Sequence, residues 1–208
     1  MLPSLNLADV FHDAVAEHLA IIRRLTSQQD TFQRVAALLC DCLRRGNKVI
    51  WCGNGGSAAD AQHLAAELVG RFRRPRSPLP SLALTADTSV LTAIANDFGF
   101  EHVFERQIDA LCQPGDVVVG ISTSGSSSNV CAALRRAYEL GATTIAMSGN
   151  SDGRLAELAD VCLHVPSANP ARVQEAHILV GHMLCEWVDT AIAAEDQFER
   201  AGVPHDLA

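Results

Sequence analysis

The sequence predicts an α/β protein, a three-layer α/β/α sandwich around a parallel sheet, with a pair of helices at its N-terminal end. Three observations predict it. Short runs such as VVVGI (117–121) and TTIAM (143–147) are apolar without alternation, as strands covered on both faces are. These runs alternate with segments whose apolar residues recur at helical spacing, the rhythm of βαβ units. Two loop sequences, CGNGGSAADAQH (52–63) and GISTSGSSSNV (120–130), each follow a strand and open a helix, where open parallel sheets bind ligands.

Taken in order, Leu7 to about Leu25 carries Val10, Phe11, Val15, Leu19 and Ile22 along one stripe, and a second amphipathic helix runs from Phe32 to Leu43. Gly46 closes it, and KVIWC (48–52) is the first strand. There follow a helix over Ser57–Phe72, a strand over Ser81–Thr85, and helices over Thr88–Asn96 and Val103–Leu111. The rest reads as strand Asp116–Ser122, helix Ser127–Leu140, strand Thr143–Ser148, helix Arg154–Leu158, strand Val161–Val165 and a long helix Ala171–Ala194. Residues 1–208 are expected to form a single domain, with 1–45 as a helical extension used in oligomerisation, because its apolar stripe needs a cover that the sheet does not supply. The connector GRFRRPRSPLP (70–80) is expected as a solvated basic loop. The alternative is that one arginine faces a substrate phosphate or a neighbouring subunit.

Composition narrows the class. A chain of 208 residues with 48% hydrophobic and 19% charged residues is globular, and a net charge of −8 argues against nucleic-acid or anionic-membrane binding. Asp9, Asp13 and Glu17 stand where a signal peptide would be basic and then apolar. No apolar run approaches the ~18 residues of a membrane span, so a soluble cytoplasmic protein is expected. The seven cysteines are odd in number, form no C-x-x-C and sit mostly in apolar runs, as reduced structural thiols do.

The two loops carry the chemistry. Glycines after a strand admit a ligand close to the backbone, and the helix that follows offers unpaired N–H groups to an anion. In the second loop, Ser122, Thr123, Ser124, Ser126, Ser127 and Ser128 supply hydroxyls around one helix start, a phosphate cradle that needs no lysine. Helix capping by Ser126 or Ser127 explains only one of those hydroxyls. G-x-G-G with two helices before it is not the G-x-G-x-x-G of dinucleotide sites. His63 and Glu67 lie four apart, on one face of the helix behind the glycine loop.

Four stretches, CGNGGSAADAQHLAAEL, TAIANDFGF, GISTSGSSSNV and RVQEAHILVGH, run in one order over nearly the whole chain. Together they resemble the sugar-isomerase (SIS) family and, within it, the bacterial phosphoheptose isomerases. The resemblance implies conversion of D-sedoheptulose 7-phosphate to D-glycero-D-manno-heptose 7-phosphate on the route to lipopolysaccharide heptose. It also implies a homotetramer with sites at subunit interfaces and, as in many members, a zinc ion (Zn2+). Carried over by motif, the substrate positions fall on Asn54, Gly55, Gly56, Ser57, Glu67, Asn96, Asp97, Ser122, Thr123, Ser124, Ser127 and Gln174. The metal positions fall on His63, Glu67, Gln174 and His182. Some members carry an aspartate three residues before the glutamine, where this chain has Ala171.

Aldose–ketose isomerisation needs a base of carboxylate strength and an acid that works near neutral pH, roles that suit Glu67 and His182. Glu67 cannot easily be a tight metal ligand and a free base at once. Gln174 and His182, ~12 Å apart along a regular helix, share a site only if Gln174 precedes the helix or if the two serve different subunits. His177 competes with Gln174 as a ligand, and Asp97 reads equally as part of a turn. The rival functions are a non-catalytic relative that binds the replication initiator DnaA and a regulatory sugar-phosphate sensor, neither of which needs Glu67.

Overall fold

Among the described residues five strands, all parallel, stand in the order β2-β1-β3-β4-β5: β1 is Val49–Gly53, β2 Ser81–Ala83, β3 Val117–Ser122, β4 Thr143–Ser148 and β5 Val161–His164. The computed structural model describes residues 6–149 and 153–200, so the ends of the expected 1–208 domain lie outside the described residues. The strand order reverses beside β1, and the register pairs Gly53 with Ile121 and Ser122 with Ser148. The carboxyl ends of β1, β3 and β4 are therefore level, and the loops after β1 and β3 emerge side by side at the switch point.

Each strand feeds two cores. Val49, Trp51, Val117, Val119, Ile145 and Met147 point to one face, where α2 (Gln29–Arg44), α3 (Gly56–Val69) and α8 (Pro170–Arg200) cover them. Ile50, Cys52, Val118 and Ala146 point to the other, against α5 (Glu105–Leu111), α6 (Ser128–Glu139) and α7 (Arg154–Leu158). This period of two within continuous apolar runs is the expected three-layer sandwich. Five cysteines are buried, and among the described residues no disulfide forms. Burial pushes Cys52 and Cys185 up to about 12, which keeps them inert.

Several element ends differ from expectation. α1 (Leu7–Leu25) leads into α2 through one 3-10 turn, Thr26–Gln28, so the second helix starts earlier than Phe32. α8 starts on Pro170, whose missing N–H costs nothing at a first helical position, and runs past Ala194. Ser81–Thr85 shortens to Ser81–Ala83, and a 3-10 turn, Phe100–His102, leaves α5 to begin at Glu105. α3 stops at Val69, so Phe72 lies beyond it. The connector that follows is not simply a solvated loop: the Arg76 side chain is fully buried and ion-paired with buried Asp189 of α8.

In one chain, Leu7, Val10, Phe11, Val15 and Leu19 of α1 are exposed, as are Leu179, Met183 and Trp187 of α8. Among the described residues no helix is long and apolar enough to cross a membrane.

α3 and α8 meet closely at Gly181. A Cβ there would lie 2.5 Å from Leu64 Cδ2 and 3.1 Å from Leu64 Cγ, and Leu64 is fully buried. Gly181→Ala, favoured by ~1 kcal/mol on helix propensity alone, should therefore destabilise the fold by about 1–3 kcal/mol through overpacking. A melting temperature equal to or above the parent's would show that the two helices have room to spare.

Candidate active site

The glycine loop is shaped by two of its glycines. Gly55 caps α3 with φ +57°, a conformation L side chains rarely adopt, and Ser57 N–H donates back to Asn54 O. Gly56 has a different reason: a Cβ there would lie 2.5 Å from Gln174 Nε2, so the missing side chain admits the Gln174 amide to the loop. Asn54 and Asn129 exchange amide hydrogen bonds at 2.8 and 2.9 Å and fasten this loop to the hydroxyl loop across the switch point. Asn129, buried at the start of α6, was not singled out in the sequence, although it stands in the hydroxyl-loop motif.

In that second loop Ser122 Oγ lies 2.8 Å from Ser127 Oγ and 3.3 Å from Ser124 Oγ. Ser127 is the N-cap of α6, yet its hydroxyl makes no capping bond and is turned to its neighbours instead. Capping thus fails to account for these hydroxyls. They gather at a helix N-terminus, where N–H groups and the helix dipole favour an oxyanion.

A second cluster forms farther along α3, where it faces α8. His63 Nε2 is 2.9 Å from His182 Nε2 and 3.2 Å from Glu67 Oε1, and the three donor atoms lie within 4.8 Å of one another. Tetrahedral zinc, with bonds of ~2.0–2.1 Å, holds its ligand atoms about 3.3 Å apart, so this set fits such an ion with a fourth position open. Asp60, one turn before His63, was not anticipated. Burial pushes its carboxyl up to about 6, with the His63 imidazole opposing.

Gln174 does not join this cluster within one chain. It is the fifth residue of α8, inside the helix rather than before it, and eight residues of rise place it ~12 Å along the axis from His182. As a fourth ligand to the same ion it is therefore corrected: in one chain its amide serves the glycine loop. His177 is no competitor, being buried in the core, where loss of solvent lowers its pKa to about 4, partly offset by the Ser148 backbone. Asn96 and Asp97 sit on the exposed last turn of α4 (Thr88–Phe98), bonded to each other at 2.7 Å, and among the described residues they reach neither cluster. They belong to a helix rather than to a turn.

Two outcomes follow from this geometry. Ser124→Ala should weaken binding of a phosphorylated sugar much more than that of the free sugar in calorimetric titrations, and equal losses would deny the loop its oxyanion role. His177 has a folded pKa below its unfolded value of about 6.5, so its contribution is whole above pH 6.5 and is lost as pH falls towards 4. His177→Leu should flatten the acid limb of the stability–pH curve by on the order of 3 kcal/mol relative to the parent. Denaturant titrations with parallel pH dependence in both chains would contradict it.

Comparison with known proteins shows the family. The SIS domain family model matches residues 13–149. The phosphoheptose isomerase of Aquifex aeolicus is 52% identical over 183 residues, covering 88% of this chain and 94% of that protein. Among solved structures, the phosphoheptose isomerase from Neisseria gonorrhoeae superposes with a TM-score of 0.84 at 43% identity, covering 89% of this chain and all of the other. That from Francisella tularensis gives 0.86 at 34% identity with the same coverage. With a matching family model and this level of identity over nearly its whole length, the chain belongs to the SIS-domain family and, within it, to the phosphoheptose isomerases.

Proposed function

We infer that the chain is an aldose–ketose isomerase acting on a phosphorylated seven-carbon sugar, the conversion of D-sedoheptulose 7-phosphate to D-glycero-D-manno-heptose 7-phosphate. The observation that carries this reading is the meeting of Glu67, His63 and His182 on α3, which opens at the glycine loop, and α8, whose Gln174 reaches that loop. A binding protein or a sensor needs the loops but has no use for a carboxylate beside two imidazoles.

Each group has a part. The hydroxyls of Ser122, Thr123, Ser124 and Ser127 hold the phosphate at the start of α6, while Asn54, Gly55, Gly56, Ser57 and Gln174 line the approach beside it. Glu67 takes the proton from the carbon next to the carbonyl and returns it one carbon over, and His182 supplies a proton to the oxygens. With Glu67 Oε1 turned to His63 at 3.2 Å, the second carboxylate oxygen is the one that serves as base. Zinc held by His63, Glu67 and His182 would polarise the carbonyl and stabilise the negative oxygen of the enediol.

The reading also needs a second copy. Glu67 lies eleven residues after Gly56, ~16 Å along α3, and the hydroxyl loop stands beside the glycine loop, joined to it through Asn54 and Asn129. In this proposal one chain's phosphate loop works with a neighbour's Glu67, with the exposed stripes of α1 and α8 as the contact in a homotetramer. There Asn96, Asp97 and Gln174 can meet a partner's acid–base cluster. A cytoplasmic place in heptose supply for lipopolysaccharide fits this chemistry.

Incubation with sedoheptulose 7-phosphate should yield an aldose signal by NMR, and Glu67→Gln should cut kcat by about 10²–10⁴-fold, the worth of a positioned base, with binding retained. Normal turnover by that variant would return the chain to the binding proteins. His63→Ala should lower the zinc content measured by atomic absorption, and undiminished zinc would remove the three-residue metal set.

A further inference from the structure

Glu67 and His182 act together but stand on different helices, so something must fix α3 against α8 where they face each other. Glu67 lies in the last turn of α3, two residues before the helix ends at Val69. The final carbonyls of a helix have no intrahelical partners, and unsupported last turns fray. Here the support comes from the connector. Arg76 donates from Nη2 to Glu67 O and from Nη1 to Leu68 O, both at 2.9 Å.

The same guanidinium is bound on its other edge. Arg76 Nε donates to Asp189 Oδ1, and the two side chains are 0% and 1% exposed. Asp189 is on α8, seven residues or two turns beyond His182, and its Oδ2 also accepts the backbone N–H groups of Arg73 and Arg74 at 2.8 and 2.6 Å. Burial alone would raise the Asp189 carboxyl, but these donors outweigh it and hold it below the ordinary range. At the near end of the connector the Phe72 ring stacks on the His182 imidazole, with centroids 5.5 Å apart and planes 24° from parallel. The Arg73 guanidinium lies over the Phe72 ring, 5.3 Å from its centroid, and pairs with Glu186.

A buried ion pair adds little to stability over an apolar pair of the same volume. What it supplies is a fixed geometry, since a planar guanidinium with two carbonyls on one side and a carboxylate on the other has one position. We propose that Phe72, Arg76 and Asp189 are positioning residues for the isomerase, a clamp that sets Glu67 on α3 against His182 on α8. This rests on the isomerase reading above. The clamp bears on the backbone of Glu67 and the ring of His182, so it should govern kcat far more than sugar-phosphate binding.

The test uses conservative variants in the full-length chain, since Arg76→Ala leaves Asp189 buried without a partner and can fail to fold. Arg76→Lys keeps the charge but cannot serve Asp189 and two carbonyls together. Phe72→Leu keeps the volume apolar but removes the stacked ring, and Phe72→Tyr restores it. Arg76→Lys and Phe72→Leu should each lower kcat by about 10–100-fold, the scale of an ångström of misplacement, with KM within about threefold of the parent. Phe72→Tyr should recover most of kcat. In Arg76→Lys, hydrogen exchange at the amides of residues 67–70 should speed up by about tenfold or more. Unchanged kcat in variants of an active parent, or a loss in KM instead of kcat, overturns the clamp while leaving the isomerase intact. Unchanged exchange overturns it equally. A parent chain that does not isomerise the sugar overturns the reading of the site and the positioning role with it.

Discussion

The packing of α3 along α8 is the constraint on which the rest depends. Both helices start at the carboxyl edge of the sheet and run the same way, and Gly181 lets them close onto Leu64. One end of the pair brings Gln174 to Gly56 and so to the phosphate loops. The other brings His182 to His63 and Glu67. In the proposed function the phosphate is held at the first end and protons are moved at the second. The length of α3 sets the distance between them.

That separation gives the proposed tetramer a chemical reason as well as a packing reason. An apolar stripe on α1 calls only for some cover. A glycine loop that stands ~16 Å along α3 from Glu67, with the hydroxyl loop fastened beside it, suits a specific neighbour, one that in the proposed tetramer brings its own Glu67 to these loops. The cost, in that proposal, is that no subunit acts alone. The gain is that the acid–base cluster rests on two well-packed helices, with the buried Arg76–Asp189 pair closing the end where helices ordinarily loosen.

Most of the fold was legible in the sequence, because strands buried on both faces are continuous apolar runs and helices announce themselves by period. The errors fell at ends, where tertiary contacts decide. α3 was extended to Phe72 because its apolar period continues, but the ring is drawn away to stack on His182. The connector looked solvated because arginine usually is, and no local signal says that Asp189, more than a hundred residues on, neutralises one of them. His63 and Glu67 could be paired from their spacing of four. His182 could be added only through the family resemblance, since no spacing rule reaches across 119 residues. Gln174 was placed with the histidines by that same resemblance, and a regular helix corrects it within one chain.

The division of the site between two subunits is the central claim, and complementation tests it most directly. Glu67→Gln keeps the phosphate loop and loses the base, while Ser124→Arg blocks the loop and keeps the base. Each alone should be inactive on sedoheptulose 7-phosphate. Unfolded together and refolded as mixed oligomers, they should regain up to about a quarter of the parent activity, the fraction of shared sites that receive an intact half from each chain. If the mixture stays as inactive as its components, while a parent sample carried through the same refolding recovers, each chain holds its whole site and the account is wrong.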